Sequence, residues 1–182
     1  MNEGLIPKRY AKALFMVAKE RNEEKDIYLS MKSIDQSFIS IPQLNETLNN
    51  PYISASDKAG LILSAAGVPD QKSGLLNDFI KLLTENRRLG MIRLIACAYV
   101  DIYREENKIF RVDVESAAPL GEAEESRLKS LIGRHLGDGT MEYSHSVNPS
   151  LIGGFTVSVG NERIDASVSN ELKQLRLNLI SK

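Results

Sequence analysis

At Lys108 the apolar residues of this 182-residue chain change their period. Upstream they recur every three or four positions; downstream Phe110, Val112, Val114 and Ser116 alternate with Arg111, Asp113 and Glu115. A helix brings positions i, i+3 and i+4 to one face and a strand brings i and i+2, so the two halves cannot share one kind of core. The pattern predicts an α+β fold. An amino-terminal six-helix bundle over 1–107 is followed by a small α/β domain over 108–182, with a short sheet and two helices.

Six amphipathic stretches fill the first part. Pro7 is tolerated at a helix start, and behind it Tyr10, Leu14 and Val17 form one stripe while Ala11, Phe15 and Ala18 form the next. Ile27, Met31, Ile34 and Phe38 mark a second helix ending near Pro42; Leu44 and Leu48 mark a short third, stopped by Asn49-Asn50-Pro51. The fourth opens at a serine cap, Ser54 or Ser56, turns Ala59, Ile62, Leu63 and Ala66 inward, and ends at Gly67 ahead of Pro69. Leu76, Phe79, Ile80 and Leu83 make a fifth face, and Ile92, Ile95, Ala96, Tyr99, Ile102 and Tyr103 a sixth.

After the first strand, closed by Pro119, Leu128, Leu131, Ile132 and Leu136 mark a helix before Gly137-Asp-Gly. Met141, Tyr143, His145 and Val147 then share one face of a second strand. In the tail, Phe155, Val157 and Val159 alternate with Thr156 and Ser158, Gly160-Asn161 signals a turn into a short strand, and Val168, Leu172, Leu175 and Leu179 return to helical spacing. This order describes a small sheet covered by two helices. Gly153-Gly154, ahead of Phe155, predicts a bulge or a close approach of another backbone. Asp165 and Ser167 stand at the entry to the last helix, where a carboxylate and a hydroxyl cap free amides. A domain of about 75 residues buries a low fraction of its surface and is expected to lean on a partner.

Composition excludes several classes. Apolar residues make up 42% and charged residues 26%, far from the disordered and membrane-spanning extremes. The longest apolar run, Leu94 to Val100, is seven residues, against the roughly 20 that a membrane-spanning helix needs. The opening, Met1 to Pro7, lacks the basic start and apolar stretch of a secretory signal, so a cytoplasmic protein is expected. Up to Asn107 there are 14 basic and 14 acidic residues, and beyond it 9 and 10; neither part carries a nucleic-acid footprint.

No residue pattern points to catalysis, a cofactor or a metal. Cys97 stands alone in an apolar run and reads as a small buried hydrophobe. His135 falls in the last turn of a helix and His145 on a strand, as packing or dipole residues. A hydrolase pairing His145 with a serine ranks last among the readings, since two isolated histidines do not supply a nucleophile, a base and an orienting group. Arg87-Arg88 reads as a pair of cations at a helix end. Gly153-Gly154 enters a strand and not a helix, which excludes a phosphate-binding loop.

Three segments carry a resemblance: Arg9-Tyr-Ala-Lys-Ala-Leu-Phe, Glu85-Asn-Arg-Arg-Leu, and the tail from Leu151-Ile-Gly-Gly-Phe-Thr-Val through Ile164-Asp-Ala-Ser-Val to Leu172. Together, in order and over nearly the whole chain, they resemble the delta subunit of F-type ATP synthases, the oligomycin-sensitivity-conferring protein family. Ala166 stands where that family often has glycine, and Asn148 where an aspartate is common. The resemblance implies a stator part without an active site or cofactor. Its helical domain would grip the amino-terminal helices of the alpha subunits, and its second domain would join the b subunits of the peripheral stalk. It further implies a peripheral protein on the cytoplasmic face of the cell membrane, engaged in proton-driven ATP synthesis.

The first helix fits that role, because it has two apolar stripes where bundle packing needs one. Tyr10, Ala13, Leu14 and Phe15 are candidates for one wall of a groove, with Phe79 and Leu83 of the fifth helix as the other. Gly153, Gly154, Asp165 and Ser167 are assigned to structure. The alternative is a helical regulator associated with nucleic acid or with other proteins, which the balanced charge disfavours.

Overall fold

The six amphipathic stretches form α1 (Leu5–Glu20), α2 (Glu24–Ser40), α3 (Gln43–Asn49), α4 (Ala55–Ala65), α5 (Gly74–Glu85) and α6 (Ile92–Glu106), with a 3-10 turn at Leu89–Met91. The computed structural model describes residues 4–67, 74–160 and 162–180, except for the side chains of 178–180. Pro69, Asn161 and the Leu179 side chain therefore lie outside the described residues. The chain divides into two units, Met1–Glu105 and Glu106–Lys182.

Local signals set the helix ends. Pro7 sits in the first turn of α1, where a missing N–H costs nothing because those amides have no intrahelical partner. Of the two serines proposed as the cap of α4, Ser54 takes the role: its Oγ accepts from the Asp57 amide at 3.1 Å. Gly67, at φ 73°, supplies the left-handed residue just after that helix.

The core of the first unit is built around α6. Tyr99 is fully buried, lies edge-on to Phe15 at 5.8 Å between ring centroids, and donates its hydroxyl to the Glu24 carbonyl at 3.2 Å. Tyr28 stacks on Tyr103 at 4.3 Å. Such pairs add to area burial because ring edges and faces carry opposite partial charge. Cys97 is only half-buried, a correction to its reading as a sealed hydrophobe: its thiol donates to Asp35 Oδ1 at 3.4 Å. Desolvation first, and the Asp35 carboxylate second, push its pKa up to about 11, so it stays protonated and inert at neutral pH.

The second unit runs β1 (Ile109–Ser116), α7 (Glu122–Leu136), β2 (Thr140–Val147), β3 (Gly154–Val159), β4 (Glu162–Ser167) and α8 (Val168–Ile180). Sheet order is β2-β1-β3-β4, with β1 parallel to β2 and antiparallel to β3, and β3 antiparallel to β4. Central β1 buries Val112 and Val114 against Val157 of β3 and Ile132 of α7. The expectation of two covering helices is corrected here. Among the described side chains of α8, residues 168–177, none is buried and none joins the core cluster, and Leu172 and Leu175 are 55% and 58% exposed; α8 meets edge strand β4.

The glycine pair has a geometric cause. Gly154 has φ 78°, and a Cβ there would run into the Ala166 carbonyl of the neighbouring strand. The expected effect of Gly154→Ala is a loss of about 2 kcal/mol or more, from strain at positive φ plus the clash. Gly133→Ala, in open space on α7, should instead gain up to about 1 kcal/mol from helix propensity. Urea unfolding followed by circular dichroism separates the two.

Candidate partner-binding groove

Helix α1 turns one stripe inward and leaves the other unspent. Ala11, Leu14, Phe15 and Ala18 are buried, whereas Ala13 and Val17 are exposed and Tyr10 is half-buried. Facing the second stripe, α5 presents Leu75, Asp78, Phe79 and Leu82. With Arg9, Tyr10, Ala13, Leu14 and Val17 these line a furrow of about 370 Å³. Leu14, Leu75 and Phe79 form its buried floor; Val17 and Leu82, 36% and 44% exposed, stand on its sides.

Tyr10 links the two walls of the furrow. Its ring meets Phe79 edge-on at 6.3 Å, and its hydroxyl accepts from Arg88 Nη1 at 3.3 Å while the Arg88 guanidinium lies 5.5 Å from the ring centroid. Helix α5 stops at Glu85, and Arg87, at φ 56°, reverses the chain so that Arg88 comes back over Tyr10. Arg88 is thus a brace on an aromatic face, not a cation serving the end of α5. The contact joins two of the segments that carried the resemblance, Arg9–Phe15 and Glu85–Leu89.

Four of the six proposed groove residues, Tyr10, Ala13, Leu14 and Phe79, come together here. Phe15 and Leu83 do not: Phe15 is 6% exposed against Tyr99, and Leu83 is fully buried. Each follows a lining residue by one position, which turns it about 100° around the helix and into the bundle. Val17, Leu75 and Leu82 also line the furrow, at helical spacing from Tyr10 and Phe79, and Arg9 and Asp78 join them four positions before Ala13 and Leu82. Arg88 had no local signal, since its partner is 78 residues away in sequence.

The second unit has its own apolar surface. A cavity of about 690 Å³ opens between the β1–α7 connection, α7 and the Leu151–Phe155 segment. Ile152 and Leu131 on its border are 76% and 53% exposed.

Among the described residues, the one serine–histidine contact, Ser116 with His145, is not set up as a nucleophile. Ser116 Oγ lies 2.7 Å from His145 Nε2, but the hydroxyl also donates to the Ala118 carbonyl at 2.5 Å. A carbonyl only accepts, so the serine proton is committed there and Nε2–H is the donor to Oγ. That direction is the reverse of what an activated nucleophile requires, and Ser116 is 1% exposed. Among the described residues, no group of three or more His, Cys, Asp or Glu is placed to hold a metal ion.

At the start of α8, Ser167 Oγ accepts from the Asn170 amide at 3.2 Å, and Asp165 Oδ1 accepts from the Ser167 amide at 3.0 Å. Ser167 is the N-cap and Asp165 holds it in place. Hydrogen bonds from the Ser167 hydroxyl and amide keep the Asp165 carboxyl below its usual pKa.

Residues 6–179 match the family model described as ATP synthase delta (OSCP) subunit. An ATP synthase subunit delta from Parabacteroides distasonis is 38% identical over 180 residues, covering 99% of this chain and 98% of the relative. The same-named protein of Phocaeicola vulgatus is 34% identical, with 98% and 96% covered. One from Prochlorococcus marinus subsp. pastoris is 32% identical, with 93% of each covered. Among solved structures, a chain of the Toxoplasma gondii mitochondrial ATP synthase hexamer superposes with a TM-score of 0.73 at 22% identity, covering 99% of this chain and 98% of that one, and so shares the fold.

The depressed Asp165 carboxyl fixes the sign of a pH effect. Its contribution is present above the unfolded value near 4 and is lost as pH falls through the lower folded value. In thermal melts from pH 6 down to pH 2, Asp165→Asn should melt lower than the parent at pH 6 and show a shallower acid-side decline; parallel curves would contradict this.

Proposed function

The chain belongs to the ATP synthase delta (OSCP) subunit family, and from that premise we propose that it is a non-catalytic stator part joining the catalytic head to the peripheral stalk. The open furrow between α1 and α5 carries this reading. It has the shape, apolar floor and walls at helical spacing that suit an amphipathic helix laid in a groove, and the occupant is the amino-terminal helix of an alpha subunit. The second unit, with exposed Leu131, Ile152, Leu172 and Leu175, docks on the b subunits. The assembly sits peripherally on the membrane; no helix among the described residues is long and apolar enough to cross one.

Magnitudes favour two attachments. Four or five apolar anchors at about 1.5 to 3 kcal/mol each give about 6 to 15 kcal/mol, while association costs about 4 to 15 kcal/mol. One furrow holds modestly on its own. A second contact on the same chain acts at high effective concentration and raises avidity by about 100-fold or more, which is what resisting rotor torque requires.

Calorimetry of the full chain with a synthetic alpha-subunit amino-terminal peptide tests this. Binding is expected at micromolar to millimolar concentration. Ala13→Glu puts a charge on the furrow wall at an exposed helical site and should weaken binding at least about 10-fold with the melt unchanged. Absence of binding by the parent at millimolar peptide would refute the reading.

A further inference from the structure

We propose that Arg9 and Asp78, on opposite walls of the α1–α5 furrow, fix the direction in which a partner helix lies there. The occupant they select is an amphipathic helix with an acidic flank against α1 and a basic flank against α5. The inference rests on the preceding reading that the furrow holds a helix.

Two observations carry it. Among the lining residues only these two are charged, one from each helix. Both are exposed, and neither has an ion-pair or hydrogen-bond partner among the described residues. Charges elsewhere that lie side by side do pair, such as Arg111 with Asp113 at 2.8 Å and Lys129 with Glu125 at 2.7 Å. The two furrow charges face a surface that a partner helix would cover.

The geometry gives them a task that apolar contacts cannot perform. An amphipathic helix rests on its apolar stripe, with one flank toward each wall. Turning it end for end keeps the stripe on the floor of Leu14, Leu75 and Phe79 but exchanges the flanks. Apolar burial is non-directional and nearly indifferent to that reversal. A cation on one wall and an anion on the other are not: one direction makes two attractive pairs, the other two repulsive ones. Rim pairs of this kind set register and exclude wrong poses more than they add affinity. Each pair is worth about threefold, so the two directions differ on the order of 10-fold or more at low salt.

The test uses the full chain and two designed helical peptides that share one leucine stripe. The first carries Glu on one flank and Lys on the other; the second has them exchanged. Each bears a nitroxide at its amino terminus, and broadening of methyl signals at Val17 or Leu82 reads direction. The two peptides should bind the parent in opposite directions. Both directions should reverse in Arg9→Glu/Asp78→Lys, and both should be mixed in Arg9→Gln/Asp78→Asn. At about 0.5 M NaCl the preference should shrink. Binding of both peptides in one fixed direction, or directions unmoved by the charge reversal, overturns this inference and leaves the furrow intact. Failure of both peptides and of the alpha-subunit peptide to bind removes the furrow reading itself.

Discussion

The contact on which the first unit's surface depends is the three-part meeting of Tyr10, Phe79 and Arg88. Helices that pack directly approach to about 8 to 10 Å and bury the seam between them. Here a tyrosine ring stands at the seam, with its edge geometry satisfied by Phe79 and its hydroxyl by a guanidinium returning from beyond α5. The ring needs no deeper burial, so Ala13 and Val17 have no neighbour to cover them. That contact lies in the lining of an open apolar furrow in a folded bundle, and the proposed coupling role rests on the furrow.

The second unit reaches incompleteness by another route. Among the described residues its core cluster takes side chains from α7 and none from α8, which meets β4, and the Gly154 backbone is pressed against Ala166 so closely that no side chain fits between. The Asp165–Ser167 cap starts α8 at a fixed point after β4 and so fixes where its leucines emerge. Small units bury little of their surface in any case, and this one also leaves Ile152, Ile164 and Leu175 more than half exposed. Each unit is folded by its own core and left unfinished on one side.

Much of this was legible in the sequence, for physical reasons. The change of period at Lys108 separates local patterns that need no tertiary information, and Val112, Val114 and Val157 are buried as alternation requires. The groove was half legible. Tyr10, Ala13, Leu14 and Phe79 follow from stripe geometry, but at Phe15 and Leu83 a pattern of apolar residues does not say which of two adjacent stripes the bundle takes. Arg88 and the placement of α8 were not legible, since one depends on a partner 78 residues distant and the other on which neighbour a helix meets. Apolar spacing reports that a helix has a face, and only packing decides whether that face is covered.

The central claim is that the α1–α5 furrow is open in the free chain and filled in the assembled enzyme. Maleimide labelling of Ala13→Cys in a Cys97→Ser background tests it most directly, with Lys12→Cys, exposed but outside the furrow, as control. The account predicts fast labelling of both sites in the isolated chain and, after assembly with the alpha- and beta-subunit head, protection of position 13 but not of position 12. Equal labelling of position 13 before and after assembly would contradict it.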